Sequence, residues 1–353
     1  MHPEIPTNMR FNPPTFEVSA IAARIEEVFG LEGKWSPLEG ERDQNFRLSC
    51  ANAQQGSQDF VVKIAGPDED LDITDFQVQA LLYLQATNPE LPVPRIVYTT
   101  QGNTLSELTS DNGVVHALRV VTYLPGIPYA EGEFPDAQNL KRIGAFQARM
   151  VKALAGFSHK ASTAFMPWNL SNGIAVSEAM WTTAADDIKA LTAPLIDRLR
   201  DEILPELNAG PSQIIHNDAH SYNLLRADAF STAVVGLIDF GDMVYAPVVN
   251  EVAVMAANFQ RGAKNDMSIM EHLLVGFHEE HPLSDQEVTL LWDAITLRLI
   301  ITVLLSDIKL SLQSQHDPDV VADRVEAYEL LTTVSTTNHA AAIARLRSVC
   351  GFS

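Results

Sequence analysis

The sequence predicts an α+β protein in two parts, a small strand-rich N-terminal lobe and a larger, mainly helical C-terminal lobe. Three observations carry that expectation. β-Forming runs fill the stretch from Trp35 to about Leu124, and apolar stripes of helical period fill most of the chain beyond residue 136. Between them TYLPGIPY, with Pro125, Gly126 and Pro128, breaks the pattern. At roughly 150 residues per domain, 353 residues suffice for about two. The boundary is drawn at 124/125, giving lobes 1–124 and 125–353 hinged at 122–128. A cleft between two lobes is a usual place for a ligand.

Each element has its own reason. After a proline-rich lead (Pro3, Pro6, Pro13, Pro14), Val18 to Phe29 repeats apolar residues at helical spacing. FRLSC and FVVKIA flank the turn-prone ANAQQGSQ and predict a hairpin over 46–65. A helix follows from Ile73 to Thr87, with Ile73, Phe76, Ala80, Leu81 and Leu84 apolar. PVPRIVYT and LTSDNGVVHALRVVTYL add short strands, so one helix sits among about five strands. Beyond the break, helices are predicted over 136–155, 178–190, 192–207, 247–262, 266–280, 284–315 and 317–348. Within this half only IIH (214–216), NLLRAD (223–228) and AVVGLIDF (233–240) read as strands, one embedded pair.

Composition removes several function classes. With 46% hydrophobic and 20% charged residues the chain is too apolar for disorder. Its formal charge of −21 repels phosphate backbones and anionic lipid, so neither nucleic acid nor a membrane surface is an expected partner. The acidity is spread: 8 basic and 17 acidic residues precede Gly126, and 16 and 28 follow. Two cysteines, Cys50 and Cys350, exclude a disulfide framework or a thiolate metal cage by count. No basic segment followed by an apolar stretch opens the chain, and the run Leu299 to Leu305 is too short to cross a bilayer. A cytoplasmic location is expected.

The strongest local signal is IIHNDAHSYNLL followed by VVGLIDFGD. His216-Asn217-Asp218 ends an apolar strand, Asn223 follows Asp218 by five, and Asp239-Phe240-Gly241 closes a second apolar strand. H-x-D-x-x-x-x-N followed by D-F-G is the spacing of a phosphoryl-transfer set: an Asp to accept the proton of an attacking hydroxyl, an Asn and an Asp to hold Mg²⁺. Magnesium is a hard cation that takes oxygen ligands, here one carboxylate, one amide oxygen and nucleotide phosphates. Asp, Asn and His are also ordinary turn residues, but chance does not supply this register between two apolar strands. Lys63, mid-strand in DFVVKIA, is costly to bury unless it meets an anion, and the α/β-phosphates are one. The loop LEGERDQNF has a single glycine, so Gln44 and Asn45 are expected to help its backbone hold phosphate. No G-x-x-x-x-G-K-[ST] occurs, which removes the P-loop kinases.

On these residues the chain resembles the aminoglycoside phosphotransferase/choline kinase superfamily, from about Leu38 onward. ERDQNF, GFSHKA, WNL and GLIDFGDMVYAPVVNEVA resemble its hydroxylysine kinase branch most. The resemblance implies a protein-kinase-like two-lobed fold and Mg²⁺-dependent transfer of the γ-phosphate of ATP or GTP to a hydroxyl of a small molecule. It puts Asp218 on the catalytic Asp, Asn223 and Asp239 on the metal ligands, and Lys63 on the phosphate lysine. Thr122, Tyr123 and Leu124 fall on the hinge that meets the base. The helix Glu that pairs with the lysine falls on Gln77, a neutral amide. YAPVVNE replaces the A-P-E of protein kinases, which speaks against a protein substrate.

Trp168, Tyr222, Asp242 and Glu251 are candidates for the acceptor pocket, where acids and aromatics suit an ammonium group. Their alternative is a packed aromatic and a capping acid. The expected acceptor is a small ammonium-bearing alcohol, hydroxylysine first, with aminoglycoside, choline and homoserine as alternatives within the fold. Two other classes stand beside it: a metallohydrolase on His216, Asp218 and His220, and an inactive kinase fold used for binding.

Overall fold

In a computed structural model, residues 13–52, 56–261, 267–312 and 318–353 are described. The proline-rich lead up to Pro6 and the centre of the 46–65 hairpin turn lie outside them. The chain divides into two compact units, Glu4–Pro125 with His159–Ala161, and Gly126–Ser158 with Ser162–Ser353.

The first unit is built on a five-stranded antiparallel sheet. Its strands are β1 (Lys34–Leu38), β2 (Gln44–Asn52), β3 (Gly56–Ile64), β4 (Ser106–Thr109) and β5 (Val115–Thr122), in the order β1-β2-β3-β5-β4. Alternation along each strand separates two faces. Phe46, Leu48, Phe60, Val62, Ile64, Leu118 and Val120 pack with Ile21, Ile25 and Phe29 of helix α1 (Val18–Phe29). The intervening residues face the other way: Asn45 pairs with Lys63 and Lys63 with Arg119 across β2, β3 and β5. Helix α2 (Leu71–Thr87) begins at Asp70, whose side chain accepts from the Asp72 N–H. PVPRIVYT is not a strand. Only Ile96 bridges to Val121 there, since Pro92 and Pro94 supply no N–H to a ladder.

The second unit is helical, with α3 (Ala137–Leu154), α4 (Gly173–Met180), α5 (Asp186–Arg198), α6 (Leu204–Asn208), α7 (Val249–Arg261), α8 (Ser268–Glu280), α9 (Asp285–Leu312), α10 (Pro318–Thr336) and α11 (His339–Val349). Three predictions shift. The helix expected over 178–190 divides into α4 and α5, and the one over 192–207 is the end of α5, a π-turn over Leu199–Ile203 and α6. The stripe over 317–348 breaks where Asn338 caps α11 by accepting from the Ala341 N–H. Helix α9 has apolar residues around its whole circumference, is almost entirely buried, and packs against α4, α7, α10 and α11. Its length and composition would cross a membrane, but here it is the unit's core.

Two small sheets are set among these helices, where one strand pair was expected. Ile127–Pro128 (β6), Leu224–Arg226 (β8) and Val234–Leu237 (β9) form one, in the order β6-β8-β9. Ser212–Ile215 (β7) and Val244–Pro247 (β10) form the other, antiparallel. The loops leaving β7 and β9 carry the H-x-D and D-F-G residues.

Candidate active site

In the helical unit, β7 ends at Ile215 and the chain turns through His216–Asn223 into β8. Asn217 is held in the left-handed region at φ 64°, and Asp239, after β9, at φ 59°. Among the described residues they are the two non-glycine residues at positive φ. Such conformations persist only where the surroundings enforce them. At Asn217 the enforcement is visible: its N–H donates to Glu251 Oε2 at 2.9 Å, and its amide to the Asp242 carbonyl at 3.1 Å. At Asp239 the carboxylate Oδ1 accepts from the Gly241 N–H at 3.1 Å.

The loop draws the predicted residues together. Asn223 Nδ2 donates to Asp218 Oδ2 at 2.7 Å and to the Asp218 carbonyl at 3.0 Å. The Ile238 N–H, next to Asp239, donates to the Asn223 carbonyl at 3.0 Å and ties the second loop to the first. His220 Nε2 lies 3.4 Å from Asp218 Oδ2, and Arg298 Nη2 is 4.0 Å from Oδ1. Burial pushes the Asp218 carboxyl up, but His220 and Arg298 outweigh it, so it lies below the ordinary carboxylate range. His216 is buried edge-on to Phe240 at 4.8 Å, and burial pushes it down to about 4, so it stays neutral.

In the sheet unit, Lys63 Nζ stands 3.5 Å from Asp43 Oδ2. The same oxygen accepts from Arg119 Nη2 at 2.9 Å, and Arg119 Nη2 donates to Gln77 Oε1 at 2.7 Å. Burial pushes Glu69, which accepts from Thr74 Oγ1, above its ordinary value, and the neighbouring Asp43 adds to the rise.

Against this geometry, the model of the phosphotransferase enzyme family (APH) matches residues 34–283. This chain belongs to that family. It is a small-molecule phosphotransferase, a kinase, with the α+β kinase-like fold of its relatives. It is 29% identical over 294 residues to the hydroxylysine kinase of Mus musculus, covering 78% of this chain and 77% of that one. Among solved structures that share the fold are two other kinases. An amicoumacin kinase in complex with AMP-PNP, Ca²⁺ and Ami has a TM-score of 0.71 at 15% identity, covering 92% of this chain and 97% of that one. A microcompartment-associated aminopropanol kinase has a TM-score of 0.64 at 13% identity, covering 94% and 95%.

Within this phosphotransferase, several predicted residues have other partners. Gln77 accepts from Arg119 Nη2, and a carboxylate, Asp43, stands beside Lys63. Gln44 is spent on the chain before α1, accepting from the Phe16 N–H at 2.8 Å and donating to its carbonyl at 3.0 Å. Asn45 donates to the Glu39 carbonyl at 3.0 Å and braces its loop from inside. At the hinge, the Thr122 N–H donates to the Arg95 carbonyl and the Tyr123 N–H to the Asp59 carbonyl. Leu124 is the one of the three at which no such bond is made among the described residues.

The four pocket candidates divide. Trp168 packs on Met166, Ile215, Val244 and Ala246, and Arg298, which reaches to 4.0 Å from Asp218, lies over its ring at 4.6 Å. Tyr222 is 64% exposed, edge-on to His220 at 5.9 Å. Asp242 is buried, with its carbonyl taken by Asn217. Glu251 is 0% exposed and accepts from Gln147 Nε2 at 2.5 Å as well as from Asn217, so it braces the loop and does not line a pocket. Asp43, Arg119 and Arg298 were missed. Arg119 and Arg298 were signalled by a charge inside or beside an apolar run, the argument that found Lys63, whereas Asp43, in the polar loop ERDQNF, carried no such signal.

Proposed function

We propose that this kinase transfers the γ-phosphate of ATP or GTP to the hydroxyl of a small ammonium-bearing metabolite, a hydroxylysine-like molecule or an amino alcohol. The observation that carries the proposal is the bonded set Asp218–Asn223–Ile238, which gathers a carboxylate, an amide and the approach to Asp239 at one loop pair. The hydroxylysine kinase relative supports the choice of acceptor.

In this reading Asp218 accepts the hydroxyl proton as the acceptor oxygen bonds to the γ-phosphorus. The bond from that phosphorus to the β–γ bridging oxygen breaks, and nucleoside diphosphate leaves. The depressed pKa keeps Asp218 ionised, and its bond from Asn223 fixes its rotamer; orientation contributes more here than basicity. Lys63, held by Asp43, meets the α/β-phosphates. The donors available for a metal are oxygens: the Asp239 carboxylate and, with its nitrogen given to Asp218, the amide oxygen of Asn223. That set suits Mg²⁺, which Asn223 and Asp239 would hold. When bound, the ion neutralises charge that develops on the phosphoryl group. Among the described residues no group of three or more His, Cys, Asp or Glu could hold a metal ion, which counts against the His216-Asp218-His220 hydrolase.

The experiment is nucleotide consumption over a panel of hydroxy-amino acids, amino alcohols and uncharged sugars, with ATP and with GTP. Turnover confined to ammonium-bearing acceptors supports the proposal. Turnover best on an uncharged sugar overturns the acceptor class, and none with any acceptor overturns the function.

A further inference from the structure

Helix α9 carries one feature its apolarity does not explain. Arg298 stands near its middle, in the helix that forms the unit's core, and is only 5% exposed. A guanidinium is expensive to desolvate, so its surroundings must be arranged for it. They are specific. Nη1 donates to the Trp168 carbonyl at 3.0 Å, and the guanidinium lies over the Trp168 ring at 4.6 Å. Nη2 faces Asp218 Oδ1 at 4.0 Å. The ring and the carbonyl fix the plane of the fork, and the fork points its charge at the residue proposed to receive the acceptor hydroxyl.

Elsewhere in this unit arginines close structural pairs. Arg198 is bonded to Asp293 at 2.5 Å, Arg324 to Asp307 at 2.9 Å and Arg347 to Asp285 at 2.6 Å. Each of those carboxylates ties one helix to another or to a chain end. Arg298 is the arginine set beside the reacting group.

We infer that Arg298 is the specificity-determining cation of the acceptor site, binding the carboxylate of a hydroxy-amino acid whose hydroxyl is held by Asp218. This rests on the function proposed above and narrows its acceptor from ammonium-bearing alcohols in general to amino acids. The spacing permits it. Nη2 and Oδ1 are 4.0 Å apart. Each adds a hydrogen bond of about 2.8 Å, so carboxylate and hydroxyl oxygens separated by up to roughly 9 Å are reached together. A hydroxyl four carbons from the carboxylate falls within that limit. A planar fork suits a carboxylate better than a point charge does, and the field of Asp218 suits the ammonium groups of the same molecule.

The test compares 5-hydroxylysine with 1,5-diaminopentan-2-ol, the same molecule without its carboxylate, on the wild-type protein and on Arg298→Met. The wild type is expected to favour the amino acid in kcat/KM by ten- to a hundredfold, the range of a charge-assisted hydrogen bond. In Arg298→Met that ratio falls at least tenfold, whatever loss the two acceptors share. A ratio unchanged by the substitution assigns Arg298 to orienting Asp218 and overturns the inference while the kinase survives. Turnover of neither acceptor by the wild type overturns this inference, and the proposed function falls with it only where no acceptor of the wider panel is turned over either. A second measurement needs no variant. Lysine, which lacks the hydroxyl, should compete with the acceptor at least tenfold better than cadaverine, which also lacks the carboxylate; equal competition overturns the inference.

Discussion

Replacing Glu251 tests how the loop is held. Its carboxyl is 0% exposed and accepts from the Asn217 N–H and from Gln147 Nε2, and burial pushes it up to about 7 from 4.5. A folded-state value above the unfolded one means the native protein binds the extra proton. The stability this contributes is therefore fully present below about pH 4.5 and is lost as pH rises through about 7. A displacement of that size corresponds to at most about 3 kcal/mol. Glu251→Gln keeps an acceptor for the Asn217 N–H but cannot titrate. Denaturant unfolding of both proteins between pH 5 and 8.5 should show the wild type about 1 kcal/mol more stable at the acid end. At the alkaline end the difference should vanish or reverse. Glu251→Ala leaves two buried donors unmatched and should cost about 2–4 kcal/mol at pH 6, with a fall in kcat, because the Asn217 backbone at φ 64° leads directly into Asp218. A pH-independent difference between Glu251→Gln and wild type would refute the reasoning. So would a Glu251→Gln variant that changes only the KM of the acceptor, as a pocket-lining acid would.

Other substitutions test the remaining structure. Asp43→Ala should raise the nucleotide KM at least tenfold, and Gln77→Ala much less, because Asp43 brings a carboxylate to 3.5 Å from Lys63 whereas the Gln77 carbonyl is taken by Arg119; steady-state kinetics with saturating acceptor checks the order. Gly276 and Gly144 let α8 and α3 approach closely: a Cβ at Gly276 would lie 1.9 Å from the Lys141 carbonyl oxygen, and one at Gly144 2.0 Å from that of Leu273. Gly276→Ala should therefore cost about 3 kcal/mol in denaturant unfolding. Magnesium and nucleotide together should stabilise the wild type by about 2.7 kcal/mol at a hundredfold excess over Kd, and Asp239→Ala should lose that shift in Tm.

Much of the architecture was legible because periodicity is local. The H-x-D…N and D-F-G residues lie on short loops between apolar strands, and their spacing alone brought Asp218, Asn223 and Asp239 into one set. What failed required partners distant in sequence. Lys63 was identifiable as a costly buried cation, but whether Gln77 or Asp43 met it depends on how α2 and the loop before β2 are placed on the sheet. Glu251 and Asp242 looked like pocket acids because residue type shows charge and not burial; the fold turned one onto the Asn217 N–H and buried the other. Gln44 was assigned to phosphate from its loop, whereas two backbone groups of Phe16 claim it. The single helix expected over 317–348 missed Asn338, a capping residue whose signal was present in the chain.

The central claim is that Asp218 receives the acceptor hydroxyl. Its most direct test is Asp218→Asn, which keeps size and the capacity to bond Asn223 but cannot accept the proton, assayed by acceptor phosphorylation and, separately, by Mg-nucleotide binding. The account predicts a kcat lower by on the order of 10²–10⁴ with nucleotide affinity nearly unchanged. Turnover close to that of the wild type would contradict it.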